Sequence, residues 1–110
     1  SFYKFEAKVK PGGLLIVNSS LIDVSSDRTD IRQLLVPANE MALRSGNARA
    51  GNVAVLGAFI AATGVVSIDT IRDTVREKLG KKANVLEMNL KVLEEGYQLA
   101  LEKFGQKDTV

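Results

Sequence analysis

The sequence predicts an α/β fold: a three-layer, Rossmann-like sheet with helices, of which these residues supply an incomplete portion with few strands and several helices. Three observations carry that prediction. Leu14-Leu15-Ile16-Val17 follows the turn Pro11-Gly12-Gly13 as a short continuous apolar run, the pattern of a parallel strand buried on both faces. Ile31 to Val36, stopped by Pro37, reads as a second strand. From Ala38 to Phe104 the apolar spacing becomes helical and stays so.

The elements follow in order. Phe2, Phe5 and Val9 stand at helical spacing before Pro11-Gly12-Gly13 ends that pattern. Asn18-Ser19-Ser20 closes the first strand, and the segment from Asp23 to Asp30 is polar, with the composition of a loop. Ala38 to Arg44 forms a short helix ended by Gly46. A helix built of small and apolar residues runs from about Ala50 to Thr63 and is closed by Gly64. Ala50, Ala54, Ala58 and Ala62 recur every four residues and make a smooth ridge that another backbone can approach. Val53, Leu56, Phe59 and Ile60 cover much of its remaining surface, so this helix should be buried nearly all round. Ser67 is the N-cap of the next helix, with Asp69 in the first turn, an apolar face of Ile68, Ile71, Val75 and Leu79, and Gly80 at its end. The last helix carries Leu86, Leu90, Leu93, Tyr97, Leu101 and Phe104 in steps of four and three before Gly105.

Composition narrows the function. The 110 residues are 45% hydrophobic and 25% charged, enough for one globular core. Fifteen Lys and Arg against thirteen Asp and Glu leave a net charge of +2, with aromatics at 5% and no basic run longer than Lys81-Lys82, which argues against a nucleic-acid surface. Cysteine and histidine are absent from the sequence. This chain therefore has no thiolate for an iron–sulfur cluster, no ordinary zinc ligand set, and no Ser–His or Cys–His nucleophile pair. The most apolar stretch, Val53 to Val66, is broken by Gly57, Thr63 and Gly64 and falls short of the ~20 residues a membrane span needs. No signal-peptide pattern is seen, and the expected location is cytoplasmic.

Two short two-sided strands do not make a self-sufficient sheet. The chain also opens without Met, inside a helix-like pattern. We expect residues 1–110 to be a single partial domain, the later part of a larger α/β unit whose other strands come from further polypeptide, another copy or a separate chain.

The ordered motifs carry a resemblance. They are Lys10-Pro11-Gly12-Gly13 before a strand ending at Asn18; Val36-Pro37-Ala38; Gly46-Asn47, Arg49 and Asn52; Leu56-Gly57-Ala58; Thr63-Gly64, Val66-Ser67; and Asn89-Leu90 with Gly96-Tyr97. In this series the chain resembles the C-terminal part of the gamma subunit, or gamma domain, of the 2-oxoacid:ferredoxin oxidoreductases, of pyruvate, 2-oxoglutarate and 2-oxoisovalerate type. The family's unit opens with a glycine-rich strand–turn–helix segment that is not part of this sequence. The resemblance implies an accessory role in thiamine-dependent oxidative decarboxylation of a 2-oxoacid to acyl-coenzyme A, with electrons passed to ferredoxin. It implies thiamine diphosphate, magnesium and iron–sulfur clusters on other subunits, coenzyme A on or with them, and a gamma unit that packs against the catalytic core, covers the active site and contacts coenzyme A. It implies alpha and beta partners, with a delta ferredoxin-like subunit in some members, in an oligomeric complex without nucleic acid or membrane. No catalytic residue, cofactor ligand or metal ligand is assigned to this chain, and no turnover is expected of it alone. The readings to weigh against this are a stand-alone small-molecule or nucleotide-binding α/β module and a purely structural interaction subunit.

The polar corner from Arg44 to Asn52 is where a site would lie. Gly46 to Gly51 has phosphate-loop spacing, but Asn52 and Val53 stand where Lys and Ser or Thr are needed, and a helical pattern precedes it instead of a strand. The plain reading is a helix–turn–helix corner with Gly46 as the stop, Asn47 in the turn and Gly51 at a close-packed position. The functional reading has Arg44, Asn47, Arg49 and Asn52 presenting donors to a partner subunit or an anionic ligand. Elsewhere, Glu40 and Arg44 are spaced for a solvated ion pair. Asn89 is expected to hydrogen-bond a neighbouring backbone or side chain. Lys81-Lys82 reads as a solvated turn.

Overall fold

The computed structural model describes residues 6–22, 24–46, 48–79 and 83–105. Strand β1 (Leu14–Asn18) and strand β2 (Arg32–Val36) pair in parallel, with Leu14 opposite Arg32 and Asn18 opposite Val36. Helix α1 (Ala38–Ser45) leads through a 3₁₀ turn (Ala48–Ala50) into α2 (Gly51–Thr63), followed by α3 (Ile68–Leu79) and α4 (Ala83–Phe104). The α/β class and the order of elements are those the sequence predicts. The helix expected to start at Ala50 begins one residue later, because Ala50 belongs to the 3₁₀ turn. Phe2, Phe5, Asp23, Asn47, Gly80 and Lys81-Lys82 lie outside the described residues, and so do the side chains of Ala48 and Leu79.

Parallel strands need a crossover, and here it is a loop. Gln33 on β2 holds it from both sides: its side-chain oxygen accepts from the Ser26 N–H (2.6 Å) and its amide donates to the Ser26 carbonyl (3.1 Å). Arg28 forks onto Asp30 and also donates to the carbonyls of Glu6 and Val9, tying the loop to the segment before β1.

The core lies on the other side of β2. Leu34 and Val36 pack with Ala38, Met41 and Ala42 of α1, Ala54, Ala58 and Ala61 of α2, and Val92 and Ala100 of α4. Its centre is the crossing of α2 over α4. Ala50, Ala54, Ala58 and Ala62 are all buried, as the four-residue spacing predicts. The tightest approach is made by glycines beside that ridge. A Cβ on Gly57 would overlap the Leu93 carbonyl oxygen, and one on Gly96 would overlap the Ala54 carbonyl oxygen.

The helix ends are satisfied locally. Gly46, Gly64 and Gly105 stop α1, α2 and α4 in the left-handed region that glycine adopts without penalty. Ser67 caps α3 as expected, its Oγ accepting from the N–H groups of Asp69 (3.0 Å) and Thr70 (3.4 Å).

Three expectations are corrected. Strand β1 is not fully buried on both faces: Val17 is buried, but Leu14, Leu15 and Ile16 are only partly buried. Helix α2 is not buried all round: Leu56 and Phe59 remain 39% and 42% exposed on the side away from α4. The buried stripe of α4 is Asn89, Val92, Leu93, Gly96 and Ala100, and Leu93 alone of the predicted stripe is fully covered. The reason is the glycine crossing, which turns the small-residue face of α4, not its bulkiest one, toward α2.

Candidate functional site

In parallel α/β sheets, polar groups gather at the carboxyl ends of the strands. Here that place is occupied by Asn18, the last residue of β1. Its amide donates to the Asn39 side-chain oxygen (3.0 Å), and its own oxygen accepts from the N–H groups of Ser20 (3.1 Å) and Ala38 (3.3 Å). Ser20 Oγ lies 3.4 Å from the Glu40 N–H. The first turn of α1 therefore has its exposed donors met by the strand end and the turn after it, since Pro37 offers no side-chain cap. Gly51 packs over the same node, where a Cβ would come within 3.3 Å of Asn39 Oδ1. The sequence signal for this node was Asn18-Ser19-Ser20 at a strand end together with Asn39 just inside a helix. By itself the motif reads only as a strand stop.

The predicted site residues are spread over the corner. Arg44 lies in the last turn of α1, largely exposed, with Glu95 of α4 at 3.9 Å. The Glu40–Arg44 pair expected from spacing gives way to this cross-helix pair, worth little at such exposure. Arg44 borders a groove of about 460 Å³ between α1 and α4, with Met41, Glu94, Glu95, Gln98 and Glu102. Asn47 lies outside the described residues. Arg49 is exposed in the 3₁₀ turn. Asn52, in the first turn of α2, borders a different groove of about 460 Å³ beside β1, lined by Leu14, Ile16, Val55, Leu56 and Phe59. Arg44 and Asn52 thus open onto separate surfaces and do not converge on one cavity.

Other expectations resolve at the same level. Gly46 follows helix α1 and the 3₁₀ turn Ala48–Ala50 leads directly into α2 at Gly51, so the phosphate-loop arrangement of strand, loop and helix is not formed. Asn89, buried in mid-helix, donates to the Val85 carbonyl (2.8 Å), the backbone bond expected of it. Arg72 ties α3 to α4 through Glu94 and also holds Asp69 at 2.6 Å. Partial burial pulls its pKa down, but hydrogen bonds to the two carboxylates outweigh that and raise it overall. Among the described residues, no group of three or more His, Cys, Asp or Glu could hold a metal, and no helix is long and apolar enough to cross a membrane.

Among the described residues the sheet has two strands, its strand ends are internally satisfied and its grooves are shallow. Residues 1–99 match the family described as pyruvate ferredoxin/flavodoxin oxidoreductase, and the chain belongs to that family. Similar curated proteins include the ketoisovalerate oxidoreductase subunit VorA of Methanothermobacter marburgensis, 34% identical over 98 residues that cover 87% of this chain and 20% of that protein. The VorA subunit of Methanothermobacter thermautotrophicus is 32% identical over 104 residues, 93% of this chain and 21% of that one. The chain thus spans about a fifth of the length of the curated relatives it matches. Among solved structures, the gamma subunit of a keto/oxoacid ferredoxin oxidoreductase from Geobacter sulfurreducens superposes with a TM-score of 0.78 at 28% identity, covering 91% of this chain and 58% of that one. The 2-oxoglutarate:ferredoxin oxidoreductase of Magnetococcus marinus, determined with 2-oxoglutarate, coenzyme A and succinyl-CoA bound, shares the fold with a TM-score of 0.80 at 24% identity, covering 99% of this chain and 20% of that one.

Proposed function

We propose that this chain is the C-terminal portion of a gamma-type unit and serves as an accessory, non-catalytic part of a 2-oxoacid:ferredoxin oxidoreductase in the cytoplasm. The observation that carries this reading is the superposition on a gamma subunit of such an enzyme together with the family match over residues 1–99. In the whole enzyme, thiamine diphosphate, magnesium and iron–sulfur clusters would supply the decarboxylation and electron-transfer chemistry. A sequence with no Cys and no His has no donors for a cluster, so the clusters would sit on the alpha, beta or delta-type parts, where the family resemblance also puts thiamine diphosphate and magnesium. The role left to this chain is packing: a rigid α2–α4 crossing that presents the Arg44–Asn52 corner and the β1 edge to the rest of the enzyme. Coenzyme A is the cosubstrate the 3₁₀ turn would face, with Arg49 as a cation for its phosphates, while Arg44 opens onto the separate, carboxylate-lined groove toward α4.

The test is reconstitution. The oxidoreductase assembled with the polypeptide carrying these residues should reduce ferredoxin in a 2-oxoacid- and coenzyme A-dependent way, and omission of that polypeptide should abolish or sharply lower the rate. Undiminished turnover without it would reject the reading.

A further inference from the structure

The groove between α1 and α4 has an apolar floor and an acidic rim. Met41 and Leu99 lie in the floor, and Glu94, Glu95 and Glu102 of α4 stand along the rim. The three carboxylates are not equally engaged. Glu94 is held by Arg72 of α3. Glu95 faces Arg44 at 3.9 Å, the outer limit of an ion pair, and that arginine is largely exposed. Glu102 is exposed and receives no ion pair from the described residues. Glu95 and Glu102 thus carry charge that this chain leaves largely unmet. They stand seven residues apart on one side of a single helix, two turns or about 10 Å along its axis. The whole chain has a net charge of +2, so the negative strip is a local feature of this groove.

The chemistry that answers such a strip is specific. A Lys or Arg side chain lays its methylene stem on apolar surface and keeps its charged head beside a carboxylate at the rim. Two of them, two turns apart on a helix lying along α4, would set their stems over Met41 and Leu99 and their heads at Glu95 and Glu102.

We propose that the α1–α4 groove docks a helix from another part of the oxidoreductase, one that carries two Lys or Arg residues about two turns apart on one face. Resting on the reading above, this names the partner chemistry of a surface separate from the groove beside β1. A second copy of this chain does not supply the match. Among the described helices the cations are Arg44 of α1, Arg72, Arg76 and Lys78 of α3, and Lys91 and Lys103 of α4, and no two on one helix stand seven residues apart. Arg72 and Arg76 are already engaged with carboxylates. Anionic lipid and nucleic acid are repelled by the same rim.

The experiment uses the assembled oxidoreductase. Gln98→p-benzoylphenylalanine, exposed in the groove between Glu95 and Glu102, is photolysed in the complex and the adduct mapped by mass spectrometry. Glu77→p-benzoylphenylalanine, on exposed α3 surface, is the comparison. The expected adduct from position 98 lies in a helix outside residues 1–110 that bears two Lys or Arg about two turns apart. An adduct in a segment without such a pair, an adduct within residues 1–110 of another copy, or no adduct in an intact assembly overturns the proposal. Charge reversal is the second readout. Glu102→Lys, at an exposed position with no ion pair to lose, should lower the adduct yield about fivefold or more by placing like charges together. Loss of assembly with Glu102→Lys but not with Glu77→Lys supports the proposal equally. Unchanged yield with Glu102→Lys overturns it. Adduct yield does not depend on turnover. A complex that turns over but gives no adduct rejects the docking and leaves the reading above intact.

Discussion

Gly57 and Gly96 stand on the two sides of one helix crossing, each where the other helix's carbonyl comes closest. Gly57 of α2 faces the Leu93 carbonyl, and Gly96 of α4 faces the Ala54 carbonyl, three residues before its counterpart in each helix. The arrangement is reciprocal. It lets the two backbones meet with no side chain between them, and it sets the depth of the core around Ala54, Ala58, Val92 and Leu93.

Alanine at either glycine should therefore destabilise the protein. In an exposed helix, Gly→Ala gains about 1 kcal/mol from propensity. Here the added Cβ meets main-chain atoms that cannot turn aside, and overpacking of about 1–3 kcal/mol or more should outweigh that gain. Gly57→Ala and Gly96→Ala are each expected to lower the urea midpoint of the purified protein. A raised midpoint would show that the helices separate at little cost.

Ala58, fully buried beside Gly57, gives a second measure of the same crossing. Ala58→Leu should cost about 1–3 kcal/mol or more, read as a lower melting temperature. A variant that melts like the parent would show a void where the structure shows packing.

The crossing also explains what was legible beforehand. The alanine ridge was visible because four-residue spacing of one residue type is a local pattern. The glycines were harder, because Gly57 and Gly96 take ordinary helical angles, and only the partner's backbone gives them meaning. The exposure of Leu56 and Phe59 was illegible for a related reason. An apolar side chain reports a preference for burial, but not whether a neighbouring element covers it. At the candidate corner, Arg44 and Asn52 looked like neighbours in sequence, yet the turn at Gly46 and the 3₁₀ turn carry them to different surfaces.

Asn18 should be the most sensitive polar position. Its amide makes one donated and two accepted bonds, so Asn18→Leu strands the Asn39 oxygen and two backbone N–H groups. Groups left unsatisfied in this way cost about 1–3 kcal/mol. Asn18→Asp should cost less, because the carboxylate still accepts at the N-terminus of α1 and an Asn39 flip would supply a donor. Comparison of the two variants by denaturant unfolding checks this, and equal losses would contradict it.

Ser67→Ala removes the acceptor for the Asp69 and Thr70 N–H groups. The expected loss is about 1 kcal/mol, as for other N-caps, with Ser67→Asp recovering most of it. The readout is thermal unfolding followed by circular dichroism, and no difference between Ser67→Ala and the parent would remove the cap from the account.

The pair Arg28–Asp30 predicts a pH response. Arg28 holds both oxygens of Asp30, at 2.9 and 2.7 Å, and this hydrogen bonding keeps the Asp30 carboxyl below its ordinary pKa, against a smaller opposing effect of burial. A carboxyl lowered in the folded state contributes stability above the unfolded value of about 3.9 and loses it as pH falls through the folded value. The tether of Arg28 to the Glu6 and Val9 carbonyls should loosen with it. Protease cleavage within residues 24–30 should therefore be slow at neutral pH and rise below about pH 4, measured with an acid-active protease. Asp30→Asn should raise cleavage at neutral pH and flatten that dependence. Cleavage in the parent that does not change across this range would mean the fork does not order the loop.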